Sequence, residues 1–286
     1  MIIKDFRISV RGAGPAMNLY CIGDLHIGSP AFLESAFDHV CDIVKSDPLA
    51  YFICPGDLTD EDRPSTRLLR HQMFNDRQEA FEQEDLQHLH WLDTKVLPKL
   101  LRLIKPERCL GLLDGDHYRK YATGLTSVQY MCAKHKIPYL GGGQALLRLT
   151  FCDSTRHSRL IKVHVHHGKG GGVTEQSDIR ELQSVQHQWP GVRLFIRGHS
   201  HKPKVFPFSW YEDYGTNPPI VHTQEGLLVN CGSFRQGIIM GQTDYAEKKV
   251  YSPTSRRCPV VHFTVTRKSF PKVFEVELSN SMTVPL

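Results

Sequence analysis

Short apolar runs that each end in a cluster of polar residues and glycine constrain the fold of this chain most. The sequence contains five such runs, at residues 18–23, 49–54, 109–113, 160–165 and 192–196. Runs of this length, bounded by glycine, proline or polar residues, are typical of buried β-strands. The pattern therefore predicts five core strands, each followed by a polar loop at its carboxyl end.

Segments with helical spacing of apolar residues separate several of these runs. They cover residues 31–45, 66–104 with a break at Pro98, 124–135 and 174–188. Alternating strands and helices predict an α/β fold. In such folds ligands bind beyond the carboxyl ends of strands, where the polar clusters fall. Residues 219–286 are strand-like with little helix, and we expect them to form mainly a second sheet packed on the first.

Composition indicates one domain over residues 1–286. The chain has 40% hydrophobic and 23% charged residues, enough for a sizeable core, and contains no repeat or Ser/Gly linker. Residues 61–105 are expected to form a helical insertion. Within residues 1–16, either 2–10 form an additional N-terminal edge strand or Met17 is an alternative start.

Several classes of protein are disfavoured by the same sequence. No apolar run approaches the ~18–20 residues that cross a bilayer, and the N-terminus lacks the pattern of a signal peptide, so we expect a cytoplasmic protein without a membrane partner. Eight scattered cysteines without a C-x-x-C pair argue against a disulfide framework or a cysteine zinc site. The net charge of +5 permits a nucleic-acid partner without requiring one.

The polar clusters carry side chains that bind metals. Asp24-Leu-His26 places two ligand-type side chains on one face of a strand end, and Gly198-His199-Ser-His201 is difficult to explain as part of a core. Gly56-Asp57 follows the second run. Asp60, three residues later, fits the cap of the next helix better than Asp57 does.

The order of the clusters resembles the sequence pattern of the calcineurin-like metallophosphoesterases. That order is Asp-x-His, Gly-Asp, Gly-x-His, His-Gly and Gly-His-x-His, over about residues 19–232. Residues 230–235, Asn-Cys-Gly-Ser-Phe-Arg, look like the closing Asn-Pro-Gly-Ser segment of that family. The resemblance implies a four-layer α-β-β-α sandwich with two mixed sheets flanked by helices.

The resemblance also implies a site for two divalent transition-metal ions. One ion would be held by Asp24, His26 and His201, the other by Asp116, His167 and His199, with Asp57 bridging the two. Imidazole and carboxylate ligands without thiolate suit Mn, Fe, Zn or Ni, and Mn²⁺ is favoured. A bridging hydroxide would attack the phosphorus of a phosphodiester or phosphomonoester, and His117 would assist the leaving group.

The third cluster departs from the family pattern. Gly115-Asp116-His117-Tyr118 stands where the family has Gly-Asn-His followed by Asp or Glu. Asp116 can still be an oxygen ligand, but its negative charge should hold metal more tightly and attract phosphate less strongly. The change also leaves His117 without its usual acidic neighbour. A catalytically silent phosphoesterase fold used as a binding or scaffold module is therefore the alternative function.

The fourth cluster offers three histidines. The family pattern places the ligand directly before glycine, which selects His167, with His166 as the alternative. In a strand, His164 and His166 share a face, and His164 is expected to be structural.

Substrate contacts are less well marked. Arg235 and Lys169 are candidates for binding phosphate, Lys169 next to the glycines 170–172. Five basic residues near the clusters are interpreted as a solvated helix face rather than a rim for a polyanion: Arg63, Arg67, Arg70, Arg119 and Lys120. The insertion could be a lid or an oligomer contact, with His88 and His90 on its surface. A nucleic acid or a nucleotide is one expected substrate, as for a nuclease or a nucleotide phosphodiesterase.

Overall fold

The computed structural model describes residues 1–61, 66–67, 69, 73, 78–103, 105–153, 157–169, 175–213, 221–236, 257–269 and 272–283. These residues form twelve strands: β1 (Ile2–Ser9), β2 (Gly14–Cys21), β3 (Ala50–Cys54), β4 (Cys109–Leu113), β5 (Tyr139–Gly141), β6 (Gln144–Cys152), β7 (Ser158–His166), β8 (Leu194–Arg197), β9 (Lys204–Asp213), β10 (Val221–Asn230), β11 (Pro259–Ser269) and β12 (Lys272–Met282). All five strands expected from the apolar runs are present, as β2, β3, β4, β7 and β8.

The helices lie between these strands, as the sequence predicts. They are α1 (Glu34–Ser46), α2 (Gln78–Trp91), α3 (Leu97–Leu103), α4 (Ser127–His135) and α5 (Glu175–Gln188). A 3₁₀ turn, Pro106–Arg108, precedes β4. None of the helices in the described part of the chain is long and apolar enough to cross a bilayer.

The strands form two mixed sheets of six strands each. The first sheet has the order β1-β6-β7-β8-β10-β9, and the second has the order β12-β11-β2-β3-β4-β5. In the first sheet β7, β8 and β10 are parallel neighbours, and in the second β2 to β5 are parallel. The parallel strands of each sheet therefore direct their carboxyl-end loops to a common edge.

The two sheets pack face to face over a shared core. Met17 and Leu19 of the second sheet belong to the same buried cluster as Leu147 and Val163 of the first. On the outer face of the second sheet, α1, α3 and α4 bury their apolar sides, and on the outer face of the first sheet Leu182 of α5 does the same. The α/β class with two mixed sheets and flanking helices is confirmed.

A break in the helical insertion is present close to Pro98, where the sequence predicts it, and Pro98 is the second residue of the helix that follows the break. Pro98 lies inside α3, and a π-helical turn at Leu92–Val96 joins α2 to α3. The N–H of Leu97 bonds to the carbonyl of Leu92, which widens the turn by one residue. A wider turn makes room for a proline ring that would otherwise collide with the carbonyl four residues earlier.

The N-terminal strand and the strands of the C-terminal third are divided between the two sheets, whereas we expected the C-terminal third to form mainly the second sheet. Residues 2–9 form β1, an edge strand of the first sheet that pairs in parallel with β6. Residues 219–286 do not all join the second sheet, because β10 pairs with β8 and β9 in the first sheet while β11 and β12 extend the second. A strand-rich segment has no sequence signal that says which of two stacked sheets each strand joins.

Candidate metal centre

The candidate ligands lie on five loops that follow strands of the two sheets. Asp24 and His26 follow β2, Asp57 follows β3, Asp116 and His117 follow β4, His167 follows β7, and His199 and His201 follow β8. The facing sheets therefore bring together residues from the whole length of the chain, at the strand ends where the sequence placed them.

Most of the candidate ligands have the left-handed backbone conformation, which residues other than glycine rarely adopt. Of the six described non-glycine residues with positive φ, five are candidate ligands: Asp24, His26, Asp57, His199 and His201. A non-glycine residue in this region costs on the order of 1 kcal/mol or more, so it persists where surrounding structure imposes it. The loops are held in shapes that direct these side chains to one place.

A first group of ligand atoms is formed by Asp24, His26 and His201. Nε2 of His26 lies 3.3 Å from Nε2 of His201, which lies 3.5 Å from Oδ1 of Asp24. The Asp24 carboxylate is held in place because the backbone N–H of His199 donates to both of its oxygens, at 3.0 and 2.9 Å. Asp24 and His26 are fully buried.

A second group contains Asp57, His167 and His199. Nε2 of His167 lies 3.3 Å from Oδ2 of Asp57 and 3.3 Å from Nδ1 of His199. His167 is oriented from behind by a hydrogen bond between its Nδ1 and the carbonyl of Pro55 at 3.0 Å. Asp116 stands at the margin of this group, with Oδ2 3.4 Å from Nδ1 of His199 and a side chain that is 43% exposed.

Asp57 lies between the two groups. Its Oδ2 atom is 3.3 Å from Nε2 of His167 and 3.9 Å from Nε2 of His26, one from each group. Its other oxygen, Oδ1, accepts the backbone N–H groups of Asp116 and His117 at 2.6 and 2.8 Å. One oxygen therefore fixes the carboxylate while the other faces both sets of ligands.

Two glycines allow the second and third loops to approach so closely. A Cβ on Gly115 would lie 2.4 Å from both the backbone N and Oδ1 of Asp57, and a Cβ on Gly56 would lie 2.6 Å from Cα of Gly115. Both glycines also have positive φ. The Gly-Asp pattern is thus required by backbone contact as well as by ligand chemistry.

The separations between ligand atoms fit bound metal ions. Two ligand nitrogens on one ion are about 2.8–3.4 Å apart when each metal–nitrogen bond is about 2.0–2.1 Å long. The nitrogen pairs His26–His201 and His167–His199 are each 3.3 Å apart. Both groups have ligand atoms close enough to surround a cation, and the donor set of imidazole and carboxylate suits a transition metal.

Charge and burial act strongly on Asp57 and His167. Burial alone would raise the pKa of Asp57, but the hydrogen bond and positive charge of His167 lower it well below its usual range. Burial alone would lower the pKa of His167, but the Asp57 carboxylate raises it to about 9. Without metal the pair is therefore ionised at neutral pH, and a cation at Nε2 of His167 must displace a proton.

Burial has the opposite consequence for two other ligands. It lowers the pKa of His26 and, together with the positive charge of His167, the pKa of His199. Both rings are therefore held in the neutral form that binds metal.

His117 does have an acidic partner, contrary to the expectation from its neighbour Tyr118. Nδ1 of His117 lies 3.1 Å from Oδ1 of Asp60, which is also 3.5 Å from Nδ1 of His26. Asp60, expected to cap a helix, instead joins these two histidines. The Gly-Asp-x-x-Asp spacing was visible in the sequence, but a partner so distant along the chain carries no local signal.

The three histidines of the fourth cluster are separated by the structure. His167 lies in the second group, whereas His166 points to the opposite face of β7, with Nε2 3.8 Å from Oε1 of Glu181. Burial and the charge of His164 lower the pKa of His166 to about 3. His164 is packed beside Trp189 and has a hydrogen bond to Gln144, which fits its expected structural role.

A buried arginine behind the fourth and fifth loops was not expected. Arg197 is 1% exposed and forms ion pairs with Asp178 at 3.0 Å and Glu181 at 2.7 Å, both on α5. Its guanidinium lies under Gly168, where a Cβ would approach Nε to 2.6 Å. Two sequence signals were available: a charged residue at the end of an apolar run, and two acids three residues apart on the preceding helix.

Residues 230–235, the closing segment, are hydrogen-bonded to two of the ligand loops. Oγ of Ser233 donates to the carbonyl of Asp24 at 2.9 Å, and Nδ2 of Asn230 donates to Oγ of Ser200 and the carbonyl of Lys202. These contacts tie β10 to the first and fifth loops, between which the first group of ligands is formed.

The two predicted phosphate contacts lie beside these loops. Lys169 is exposed, and its backbone N–H donates to Glu181 at 3.1 Å. The backbone N–H of Arg235 donates to Oγ of Ser233 at 3.1 Å. Their roles stay predictions, and the neighbouring glycines 170–172, like Arg63 and Arg70, lie outside the described residues.

The insertion packs against the loops of the site. The ring of Trp91 covers Gly28, where a Cβ would lie 2.8 Å from it. His88 is not the surface residue that was expected, because it contacts Glu61 at 3.4 Å and the hydroxyl of Tyr121 at 2.9 Å. His90 is exposed. Helix α2 therefore touches the loops that follow β2, β3 and β4.

Comparison with known families and proteins does not add to this geometry. No protein-family model matches the sequence, and no curated protein matches it.

Proposed function

We propose that the chain is a metal-dependent phosphoesterase that binds two divalent ions and hydrolyses a phosphodiester or phosphomonoester. The observation that carries this proposal is the position of Asp57, one oxygen of which faces a ligand histidine from each of two Asp/His groups. A carboxylate shared between two cation sites is what a two-ion hydrolase requires.

The candidate ligands fall into one set for each proposed ion. Asp24, His26 and His201 would hold one ion, and His167 and His199 the other, with Asp116 at the margin. Bound ions would supply Lewis acidity and an activated water for attack at phosphorus. Mn²⁺ is the proposed ion, with Fe, Zn and Ni as alternatives, because the donors are imidazole and carboxylate.

His117 is the proposed proton donor to the leaving oxygen. Its Nδ1 faces Asp60 at 3.1 Å, so the proton that it transfers would come from Nε2. The Asp60 carboxylate would hold the ring in the required tautomer and stabilise its charged form. A residue in this role would act on substrates whose leaving groups need a proton.

The order of motifs along the chain supports assignment to the calcineurin-like metallophosphoesterase type. Two mixed sheets flanked by helices, with ligands on loops after β2, β3, β4, β7 and β8, are compatible with that assignment. Within this type a nucleic acid or nucleotide is the substrate we favour, because the chain is basic overall.

Metal content and hydrolysis test the proposal together. The purified chain, loaded with Mn²⁺ and dialysed, should hold about two ions and hydrolyse bis(4-nitrophenyl) phosphate. Asp57→Ala should lose metal and activity, and His117→Ala should keep metal and lose most activity on diphenyl phosphate, whose basic leaving group needs a proton. Asp42→Asn, which changes an exposed carboxylate of α1, is the matched control.

Three outcomes would each contradict a different part of the proposal. Fewer than about one ion per chain would contradict the two-metal site. Two bound ions without hydrolysis of aryl, nucleotide or nucleic-acid esters would favour the silent binding module. Hydrolysis of diphenyl phosphate that survives both substitutions would show that the assigned residues are wrong.

A further inference from the structure

The loop that carries Asp116 and His117 is held from two sides. On one side, its N–H groups donate to Asp57, as described above. On the other side, Nη1 of Arg67 donates to the carbonyl of Asp116 at 2.7 Å and to the carbonyl of Tyr118 at 3.0 Å. These are the carbonyls of the residues immediately before and after His117.

The Arg67 guanidinium is itself fixed by an aromatic ring. Its central carbon lies 3.8 Å from the centroid of the Tyr118 ring, in stacking contact. Tyr118 stands where the sequence pattern of the resembled family has Asp or Glu. The contact with Arg67 gives this tyrosine a structural role. A planar cation on an aromatic face is a stabilising pair, and it limits the directions in which Arg67 can donate.

A second side chain of the insertion holds the same loop further on. Asp85 is 7% exposed, and its two oxygens accept Nε of Arg119 and the backbone N–H of Ala122, each at 3.0 Å. The backbone N–H of Arg119 donates to Glu61 at 2.7 Å. Arg67 of the insertion bonds to the site loop, and Arg119 of the site loop bonds to the insertion, so neither is part of the solvated face that was expected.

The insertion bonds to backbone groups next to His117, and these groups determine the position and direction of its Cα–Cβ bond. A carboxylate on the N–H side and a guanidinium on the carbonyl side hold backbone groups before and after His117. Hydrogen bonds to charged groups are stronger than neutral ones and keep their geometry in partly buried surroundings. The ring then meets Asp60 at 3.1 Å.

We propose that Arg67 and Asp85 are positioning residues for His117, and that the insertion serves to place this histidine. The proposal rests on the proposed function, because it assigns His117 the role of proton donor. Neither side chain needs to touch substrate for the effect to appear.

A positioning role predicts a loss that depends on the leaving group. Arg67→Met should lower kcat for diphenyl phosphate roughly tenfold to a hundredfold, since the basic phenolate needs a proton. The same substitution should lower kcat for bis(4-nitrophenyl) phosphate by less than about threefold, since 4-nitrophenolate leaves without one. Asp85→Asn should show the same selectivity with a smaller loss.

A readout without metal or substrate accompanies the kinetics. In the metal-free chain, backbone amides of Asp116 and His117 should exchange hydrogen faster in Arg67→Met than in the unsubstituted protein. Arg67→Lys, which keeps the charge but cannot stack as a plane, should recover only part of the protection. Arg148→Met, at an exposed arginine paired with Asp5, is the control and should change neither readout.

The outcomes distinguish this proposal from the proposed function. If the unsubstituted chain hydrolyses both esters and Arg67→Met loses the same factor on each, the positioning role is wrong. A further loss from Arg67→Met in a His117→Ala background would also overturn it, because residues acting through His117 should not add to its removal. If the unsubstituted chain hydrolyses neither ester, the function fails, and unchanged amide exchange would then overturn the positioning of the loop as well.

Discussion

Oδ1 of Asp60 lies 3.1 Å from Nδ1 of His117 and 3.5 Å from Nδ1 of His26, so one carboxylate orients a candidate ligand and a candidate proton donor. Burial alone would raise the pKa of Asp60, but the close approach of the His117 and His26 rings lowers it well below its usual range. Asp60 is therefore ionised at any pH near neutrality and acts on both rings as an anion.

Asp60→Asn should reduce catalysis more than metal binding. The amide keeps an oxygen near the rings but loses the charge that stabilises a protonated His117. The kcat for diphenyl phosphate should therefore fall roughly tenfold to a hundredfold. Metal affinity should fall less, because Asp60 reaches His26 from behind and is not itself a ligand in the proposed site. Steady-state kinetics and calorimetric titration with Mn²⁺ measure the two effects.

Asp42→Asn, at an exposed carboxylate of α1, is the control for the Asp60 substitution. The Asp60→Asn loss should also disappear in a His117→Ala background. An equal loss in both backgrounds would mean that Asp60 acts through metal binding.

The contact between Gly115 and Asp57 gives a second prediction with a closely matched control. Gly115 has φ of +79° and Gly124 has φ of +86°, and both lie on the segment after β4. A Cβ at Gly115 would lie 2.4 Å from Asp57, whereas a Cβ at Gly124 would meet nothing within 4 Å. Gly115→Ala should therefore displace Asp57 and abolish Mn²⁺ binding.

Gly124→Ala should cost only the backbone strain, on the order of 1 kcal/mol, and keep Mn²⁺ binding. Calorimetric titration and thermal unfolding of both variants separate strain from displacement of the carboxylate. Equal Mn²⁺ affinity in the two variants would contradict the proposed role of Asp57 as a ligand shared by both groups.

The sequence was sufficient for the parts of the site that depend on side-chain identity and local order. Asp24 and His26 after β2, and His199 and His201 after β8, could be found because each pair follows a recognisable strand end, where α/β folds bind ligands. The α/β class followed from the same alternation of strands and helices.

Other parts of the site depend on contacts that leave no local pattern. Asp60 was assigned to a helix cap because a carboxylate at that spacing suits a cap as well as a partner in space. Arg67 and Asp85 bond to backbone groups of a distant loop, and every residue has such groups, so no sequence could single them out. The left-handed backbone of the ligands depends on loop packing, and therefore could not be read from the sequence either.

The carboxylate of Asp116, which stands where the sequence pattern of the resembled family has asparagine, gives the third prediction. Asp116 lies 3.4 Å from His199, and its side chain is 43% exposed, so its charge acts through water as well as protein. Two unit charges at 4 Å in water interact by about 1 kcal/mol, which corresponds to a factor of about five in affinity. Asp116→Asn should weaken Mn²⁺ binding by about that factor and strengthen inhibition by inorganic phosphate to a similar extent.

Mn²⁺ titration and phosphate inhibition constants at fixed ionic strength measure the two changes. Asp42→Asn, at an exposed carboxylate of α1, is the control for net charge. If metal and phosphate affinities changed in the same direction, the effect could not be electrostatic.

The buried ring of His164 gives a prediction about stability and pH. His164 is fully buried beside Trp189 and Phe195, and burial lowers its pKa from 6.5 to about 4. Between these two values the unfolded chain binds a proton that the folded chain excludes, so stability rises with pH across this window. The metal-free protein should therefore lose stability as the pH falls from about 6.5 to 4, by on the order of 2 kcal/mol from this residue. His166 acts in the same direction, because burial and the charge of His164 lower its pKa to about 3.

Urea unfolding of the metal-free protein at several pH values measures this loss. His164→Gln keeps a hydrogen-bonding group but cannot bind a proton, so its stability should fall less steeply over the same range. His90→Gln, at an exposed histidine of α2, is the matched control and should follow the unsubstituted protein. The comparison depends on the slope and not on absolute stability, because removing a packed imidazole lowers stability at every pH. An unchanged slope in His164→Gln would mean that the acid sensitivity arises elsewhere, the ionised Asp57–His167 pair being the next group to examine.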